Sequence, residues 1–314
     1  MSDRLLRFHF ARHAVRGALV VLDDTMAELQ GRRAYPAAVA GLLGEMLAAV
    51  AMIADGLKWQ GSVALQSKGS QRLRTAMAEH RPTGKLRAIA RPAEGGALDA
   101  GAAAEGTTPA FDPAAFAGDA RGGLLRGDQL ALSLLPAPDD PHSQPYQGLV
   151  GGNYDKLSDN LDEYFRVSEQ LDTRFALYGT GAEARGLLLQ RLPESEQASF
   201  VETDVAEDFW RELSLRMATV GPADLAFDEP LAFLRRLLAP EDLVVAPARA
   251  MAFECSCSQA KSDDILRTLG QEDLVELLQE REDVEVTCEF CGLTYRYDAM
   301  AVHGLFEPGA PTLH

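Results

Sequence analysis

With 314 residues, the chain is long enough for one large hydrophobic core plus a small appended module. Its formal net charge of −17 argues against a nucleic-acid partner, because phosphate contacts need clustered Lys and Arg, and it favours a soluble, self-repelling surface. Residues 37–57 come nearest to a membrane span, but Glu45 and Asp55 interrupt them, and the first residues lack the apolar run of a signal peptide; no membrane partner is expected, and the expected location is cytoplasmic.

In chain order, Arg4-Leu5-Leu6-Arg7-Phe8-His9-Phe10 alternates like a strand, and Val15 to Leu22 gives a second β-like run. A short helix is expected over 23–30. Val39, Leu42, Leu43, Met46, Leu47, Val50, Ile53 and Leu57 then recur at helical spacing behind Pro36, which suits a first turn, so 37–57 reads as a buried core helix. A three-strand meander follows over 61–66, 73–78 and 85–90, with Lys68-Gly69-Ser70 and Pro82-Thr83-Gly84 as its turns. Residues 93–123 are rich in Ala, Gly, Pro and acidic side chains without periodicity, which predicts a mobile surface excursion. Their glycines form neither a phosphate loop nor a dinucleotide fingerprint. A strand over 130–134, a loop over 136–145, a helix over 160–170 with Leu161, Tyr164, Phe165 and Ser168 on one side, and strands over 175–178 and 186–192 complete a first domain near Pro193. The ingredients predict an α+β fold whose N-terminal domain mixes β-sheet and helix.

Ser168, Glu169 and Gln170 set a hydroxyl beside a carboxylate, but a nucleophilic serine needs a base within reach. None of the six histidines stands in a motif with it, so packing is the expected role and no enzymatic activity is expected. From Glu194 the character changes. Acidic residues gather at Glu194, Glu196, Glu202, Asp204, Glu207 and Asp208, and Phe209, Trp210, Leu213, Met217 and Val220 follow at helical spacing. Gly221-Pro222 breaks the run, and Leu231, Leu234, Leu237 and Leu238 form a second apolar stripe behind Pro230. Such helices must lay their apolar faces on something; residues 194–250 are expected to be a helical linker between a domain at 1–193 and a module at 251–314.

That module holds all four cysteines of the chain, as Cys255-Ser256-Cys257 and Cys288-Glu289-Phe290-Cys291. Two close pairs make four thiolates, the set that holds Zn2+ tetrahedrally at about 2.3 Å. Gly292 permits the positive φ of a tight knuckle turn, and 284–286 and 293–297 read as the strands of the hairpin that carries it. Between the pairs, Ser262-Asp263-Asp264 offers cap chemistry, Ile265, Leu266 and Leu269 recur at helical spacing, Gly270 is placed as a stop, and a second helix runs through Leu274, Val275, Leu277 and Leu278. His303 is near in sequence, but four sulfurs already fill a tetrahedron. A module this small should depend on its metal, and its thiolates are what oxidants attack. Spacing alone leaves a static structural site and an oxidant-released clasp both open. It also leaves two rivals, a thiol-disulfide oxidoreductase using Cys288 and Cys291 and a zinc-ribbon interaction module.

With Phe253 before the first pair, Ser258 after it, and Cys288-Glu289-Phe290-Cys291-Gly292 running into Tyr295, the module resembles the zinc domain of the heat-shock protein 33 family of redox-regulated chaperones. Tyr164-Phe165-Arg166-Val167-Ser168-Glu169-Gln170 with Thr173, Gly186-Leu187-Leu188-Leu189-Gln190-Arg191-Leu192-Pro193, Leu43-Gly44-Glu45 and Tyr146-Gln147-Gly148-Leu149-Val150 are similar to segments of that family's N-terminal domain. The resemblance implies one Zn2+ per chain on Cys255, Cys257, Cys288 and Cys291 in the reduced state. It implies Cys255–Cys257 and Cys288–Cys291 disulfides on oxidation and a metastable linker that the module holds folded. It further implies an ATP-independent holdase for unfolding or oxidatively damaged proteins, a homodimer when oxidised, and hand-over of clients to an ATP-dependent 70-kDa heat-shock-type system.

Overall fold

The computed structural model describes residues 3–57, 59–69, 72–94, 97, 110–112, 114–117, 124–125, 129–137, 140, 143–193, 203–238 and 243–307. They fall into two compact units, Met1–Phe253 and Glu254–His314. The fold is mixed α+β, with sheets and helices in the first unit and the cysteines in the second.

The first unit opens on a hairpin of β1 (Arg4–Phe10) and β2 (Val15–Val21), followed by α1 (Asp23–Arg32) and α2 (Ala37–Gly56). The expected meander is present as β3 (Ser62–Lys68), β4 (Leu73–Arg81) and β5 (Lys85–Pro92), each antiparallel to the next. Then come β6 (Gln129–Leu135), β7 (Tyr146–Gly151), α3 (Leu157–Val167), β8 (Thr173–Gly179) and β9 (Ala184–Arg191). One sheet runs β9 between β2 and β8; the other places β3 between β4 and β6, with β7 at its edge. Helix α2 touches strands of both sheets, which is why it is apolar all round rather than along one stripe. Among the described residues it is the one helix long and apolar enough to cross a membrane, and it is buried inside the fold as the centre of the main core.

Three expectations for this unit change. The stretch at 93–123 is not a free surface excursion where it is described: Phe116, together with Leu124 and Leu125 just beyond, is buried in the main core, and Phe111 sits edge-on between Tyr35 and Phe116 at 5.6 and 5.5 Å. A few large apolar side chains anchor it, and an Ala/Gly-rich average hides them; the rest of the stretch lies outside the described residues. The helix expected over 160–170 begins at Leu157, because the Asn160 amide donates to the carbonyls of Tyr154 and Lys156, both at 2.8 Å, and ties the preceding loop to its first turn. It also ends earlier, so that Ser168 caps the C-terminus and is exposed rather than packed. Strand β7, which alternation did not reveal, pairs with β6.

The linker sequence forms α4 (Thr203–Ala218), the single turn α5 (Pro222–Leu225) and α6 (Pro230–Leu238). Trp210, Leu213, Met217, Leu234 and Leu238 bury against Leu6, Phe8, Phe10, Leu187 and Leu189, the outward-facing alternate residues of β1 and β9. The Phe209 ring stacks on His13 at 3.7 Å and meets Phe10 edge-on at 5.0 Å. In α6 the buried place expected for Leu231 belongs to Phe233, 2% exposed against 41%. Glu194, Glu196 and Glu202 lie outside the described residues. Beyond α6 three short strands that the sequence did not announce, β10 (Leu243–Val245), β11 (Arg249–Ala250) and β12 (Ala252–Phe253), stitch the chain to β1 and then to β5.

Candidate metal centre

The second unit contains α7 (Gln259–Leu269), α8 (Gln271–Glu280), a hairpin of β13 (Val284–Thr287) and β14 (Thr294–Tyr297), and α9 (Ala299–Leu305). The cap of α7 is not the Ser262 stretch. Ser258 Oγ accepts from the Lys261 N–H at 3.3 Å, so the helix starts directly after Cys257, and Ser262 is inside it, 3% exposed. Of the expected stripe only Leu266 is buried; Ile265 and Leu269 face solvent. Gly270, at φ 95°, ends α7 and begins α8, a conformation a side chain would resist. Helix α9 was not foreseen, although Asp298 gives the signal: its carboxylate accepts from Ala301 N–H at 2.8 Å, just ahead of buried Val302 and Leu305. The buried core is small, comprising Leu266, Leu274, Val284, Tyr297, Val302 and Leu305.

Two segments present the sulfurs. Cys255 and Cys257 lie between the end of β12 and the Ser258 cap. Cys288 and Cys291 lie in the hairpin turn, where Cys288 N–H donates to Leu293 O at 2.9 Å and Gly292 N–H to Cys288 O at 2.8 Å. Gly292 has φ 70°, the conformation that lets the turn double back and aim both sulfurs one way. All four sulfurs lie within 4.8 Å of one another, with Cys255 Sγ 3.6 Å from Cys288 Sγ and Cys257 Sγ 3.4 Å from Cys291 Sγ. A tetrahedron with bonds of about 2.3 Å needs sulfur separations of about 3.8 Å, whereas a disulfide needs about 2.0 Å. The four are free thiols in metal-site geometry. His303 is not among them; its Nδ1 lies 3.4 Å from the Gln271 amide nitrogen.

The electrostatics favour a first thiolate at Cys257. Burial opposes its ionisation, but hydrogen bonds from Tyr295 and the other three cysteines together outweigh burial and bring it to about 7. The positive end of α7, one residue away, acts in the same direction. Burial pushes Cys255 and Cys291 up instead. The phenol of Tyr295 is held above its usual range by its bond to Cys257, a role that sequence alone did not assign. The donor set, four soft sulfurs with no carboxylate or carbonyl, suits zinc and not calcium or magnesium. It also closes the coordination shell, leaving no position for a substrate, as in structural sites. Cys288 stands beyond a strand and not at a helix start, so the Cys288/Cys291 pair lacks the helix field on which dithiol oxidoreductases rely.

Comparison with known proteins agrees with this geometry. The family model described as Hsp33 protein matches residues 3–298. The 33 kDa chaperonin of Pseudomonas savastanoi pv. phaseolicola is 34% identical over 311 residues, covering 98% of this chain and 95% of its own. The 33 kDa chaperonin of Hahella chejuensis is 34% identical over 316 residues, covering 100% and 99%. In structure, the 33 kDa chaperonin (heat shock protein 33 homolog) of Thermotoga maritima superimposes with a TM-score of 0.71 at 19% identity, over 96% of this chain and 97% of that one. By sequence, by fold and by the cysteine cluster, the chain belongs to the Hsp33 family of chaperones.

Proposed function

We propose that this protein is a redox-regulated, ATP-independent holdase whose switch is the four-cysteine centre. The observation that carries the reading is the convergence of four sulfurs within 4.8 Å in a unit whose own core is a handful of side chains. When bound, Zn2+ would cross-link the segment of Cys255 and Cys257 to the hairpin of Cys288 and Cys291. In comparable small domains such a cross-link contributes on the order of 10–16 kcal/mol.

Oxidation acts on the sulfurs. Each pair, Cys255 with Cys257 and Cys288 with Cys291, gives up two electrons and forms one S–S bond, while one hydrogen peroxide, taking up two protons, is reduced to two waters. A disulfide sulfur is no longer a thiolate donor, so the site loses its grip and the small unit loses most of its support. Phe253, the last residue of β12, stands two residues before Cys255, so loosening is passed back along β12, β11 and β10 towards α6. Release of α6 and α4 uncovers Phe209, Trp210, Leu213 and Leu234 and the sheet face beneath them, apolar surface suited to an unfolding client. Homodimerisation of the oxidised form, transfer of clients to a 70-kDa heat-shock-type system and a reducing, cytoplasmic setting complete the reading on family grounds.

The test compares peroxide-treated and reduced protein, without ATP, for suppression of light scattering by a chemically unfolded client on dilution. Strong suppression is expected only after oxidation, with peptide mapping placing the disulfides within each pair. Equal suppression by both forms would end the switch reading.

A further inference from the structure

Three stretches singled out in the sequence have no part in the metal centre: 146–150, 164–170 and 186–193. In the first unit, side chains from all three meet at one cavity of about 390 Å3. Its wall is largely apolar, built from Met52, Leu132, Phe165 and Leu188, all buried. At its edge the Glu169 carboxylate accepts from two phenols, Tyr164 at 2.6 Å and Tyr146 at 3.2 Å. Opposite each other on β2 and β9, Arg16 and Gln190 add polar surface, as do Arg7, His9 and Asp55. Gln190, 3% exposed, takes two N–H bonds from Arg16 on its Oε1, at 3.0 and 2.6 Å, and gives its own amide N–H to Thr173 at 3.0 Å.

Two of the charges in this cavity, Arg16 and Glu169, have no contact partner of opposite charge among the described residues. Asp55, whose side chain is 7% exposed, is held by Arg249 at 2.7 Å and by Arg7 at 3.7 Å. Glu169 is already engaged by its two phenols. Arg16 hydrogen-bonds only to a neutral amide, and among the described residues no carboxylate comes within 4.0 Å of it. Burial pushes its pKa down, opposed by the field of Asp55. A half-buried guanidinium without a contact anion is a costly arrangement, and a carboxylate is the group that fits its planar fork with two parallel hydrogen bonds. A concave apolar wall with one such polar group describes a ligand with an apolar body and a charged end.

We infer that this cavity binds a medium-chain fatty carboxylate, with Arg16 taking the head group and Met52, Leu132, Phe165 and Leu188 lining the chain. The occupant would reach the segment after β10, since Ala246 also lines the cavity and its N–H donates to Arg7 O at 2.8 Å. Binding therefore braces that segment against β1 and raises the melting temperature of the first unit by mass action. The chain's net charge of −17 repels anions from the general surface, so saturable uptake of a carboxylate must come from a local cation.

The experiment is calorimetric titration of the reduced, full-length protein with decanoate below its micelle concentration, with decanol as the neutral counterpart. One saturable site is expected, with decanoate bound about tenfold more tightly than decanol. Arg16→Gln should remove that tenfold preference while decanol binding stays. Leu134→Trp, from a half-buried position in the wall, should block both ligands while the circular dichroism spectrum is kept. Absence of saturable decanoate binding, equal affinity for decanol, or decanoate binding unchanged in both variants would overturn the site.

Discussion

Cys288 shows how much of this protein's behaviour rests on single side chains. Its backbone is pinned on both sides of the turn by Leu293 and Gly292, which aims the sulfur at the other three. Cys288→Ser should abolish stoichiometric zinc and strip hydrogen-exchange protection from α7 to α9, because the small core of that unit cannot replace a contribution of about 10 kcal/mol or more. Zinc analysis with exchange mass spectrometry checks it; intact protection without metal would contradict it. At the same scale, Asp162 on α3 is held up to about 7, chiefly by burial, against the pull of the Phe175 N–H at 2.8 Å and of Arg174. Its folded value exceeds the ordinary 3.8, so its contribution is full below about pH 4 and is lost as pH rises through 7. Asp162→Asn should therefore match the parent in acid and exceed it at pH 8 by on the order of a few kcal/mol; a difference in denaturant midpoint that does not change with pH would refute the assignment.

In the proposed switch, helix α4 is the element that covers the client surface. Trp210 is buried with Leu213 against β1 and β9, and its truncation to alanine should cost about 3–5 kcal/mol of docking. Trp210→Ala is expected to lower exchange protection of α4 selectively and to give the reduced protein partial holdase activity, measured by client light scattering. Loss of protection without any gain in activity would show that α4 does not cover the client surface. The periodicity of this helix was legible because its apolar residues repeat at one face, as were α2, the meander and the hairpin around Gly292. What escaped reading has physical causes. Leu231 and Phe233 are equally apolar, and only the docked geometry of α6 decides which turns inward. Ser258 and Ser262 are both capping residues, and the one beside Cys257 wins because the chain must leave the sulfur in extended form. Strands β10 to β12 are two or three residues long, too short for alternation to register, and they form because β1 and β5 offer edges to pair with.

Over the whole molecule, stability is unevenly distributed. The first unit encloses α2 between two sheets; the second closes over a handful of apolar side chains and four sulfurs. The cysteine cluster was readable outright, since four cysteines in two close pairs point to one shared centre, and the four sulfurs do lie within 4.8 Å of one another. The cavity beneath Glu169 was not, because its residues are scattered from Arg7 to Ala246 and only the fold gathers them. The central claim, that the sulfur cluster restrains a surface the rest of the chain is built to expose, is tested most directly in a single sample at raised temperature. Peroxide is added to the zinc-loaded protein while zinc release is read with a chromophoric chelator and client aggregation by light scattering. Suppression should rise in step with zinc release and fall when reductant and zinc are restored; complete release with no gain in suppression would contradict it.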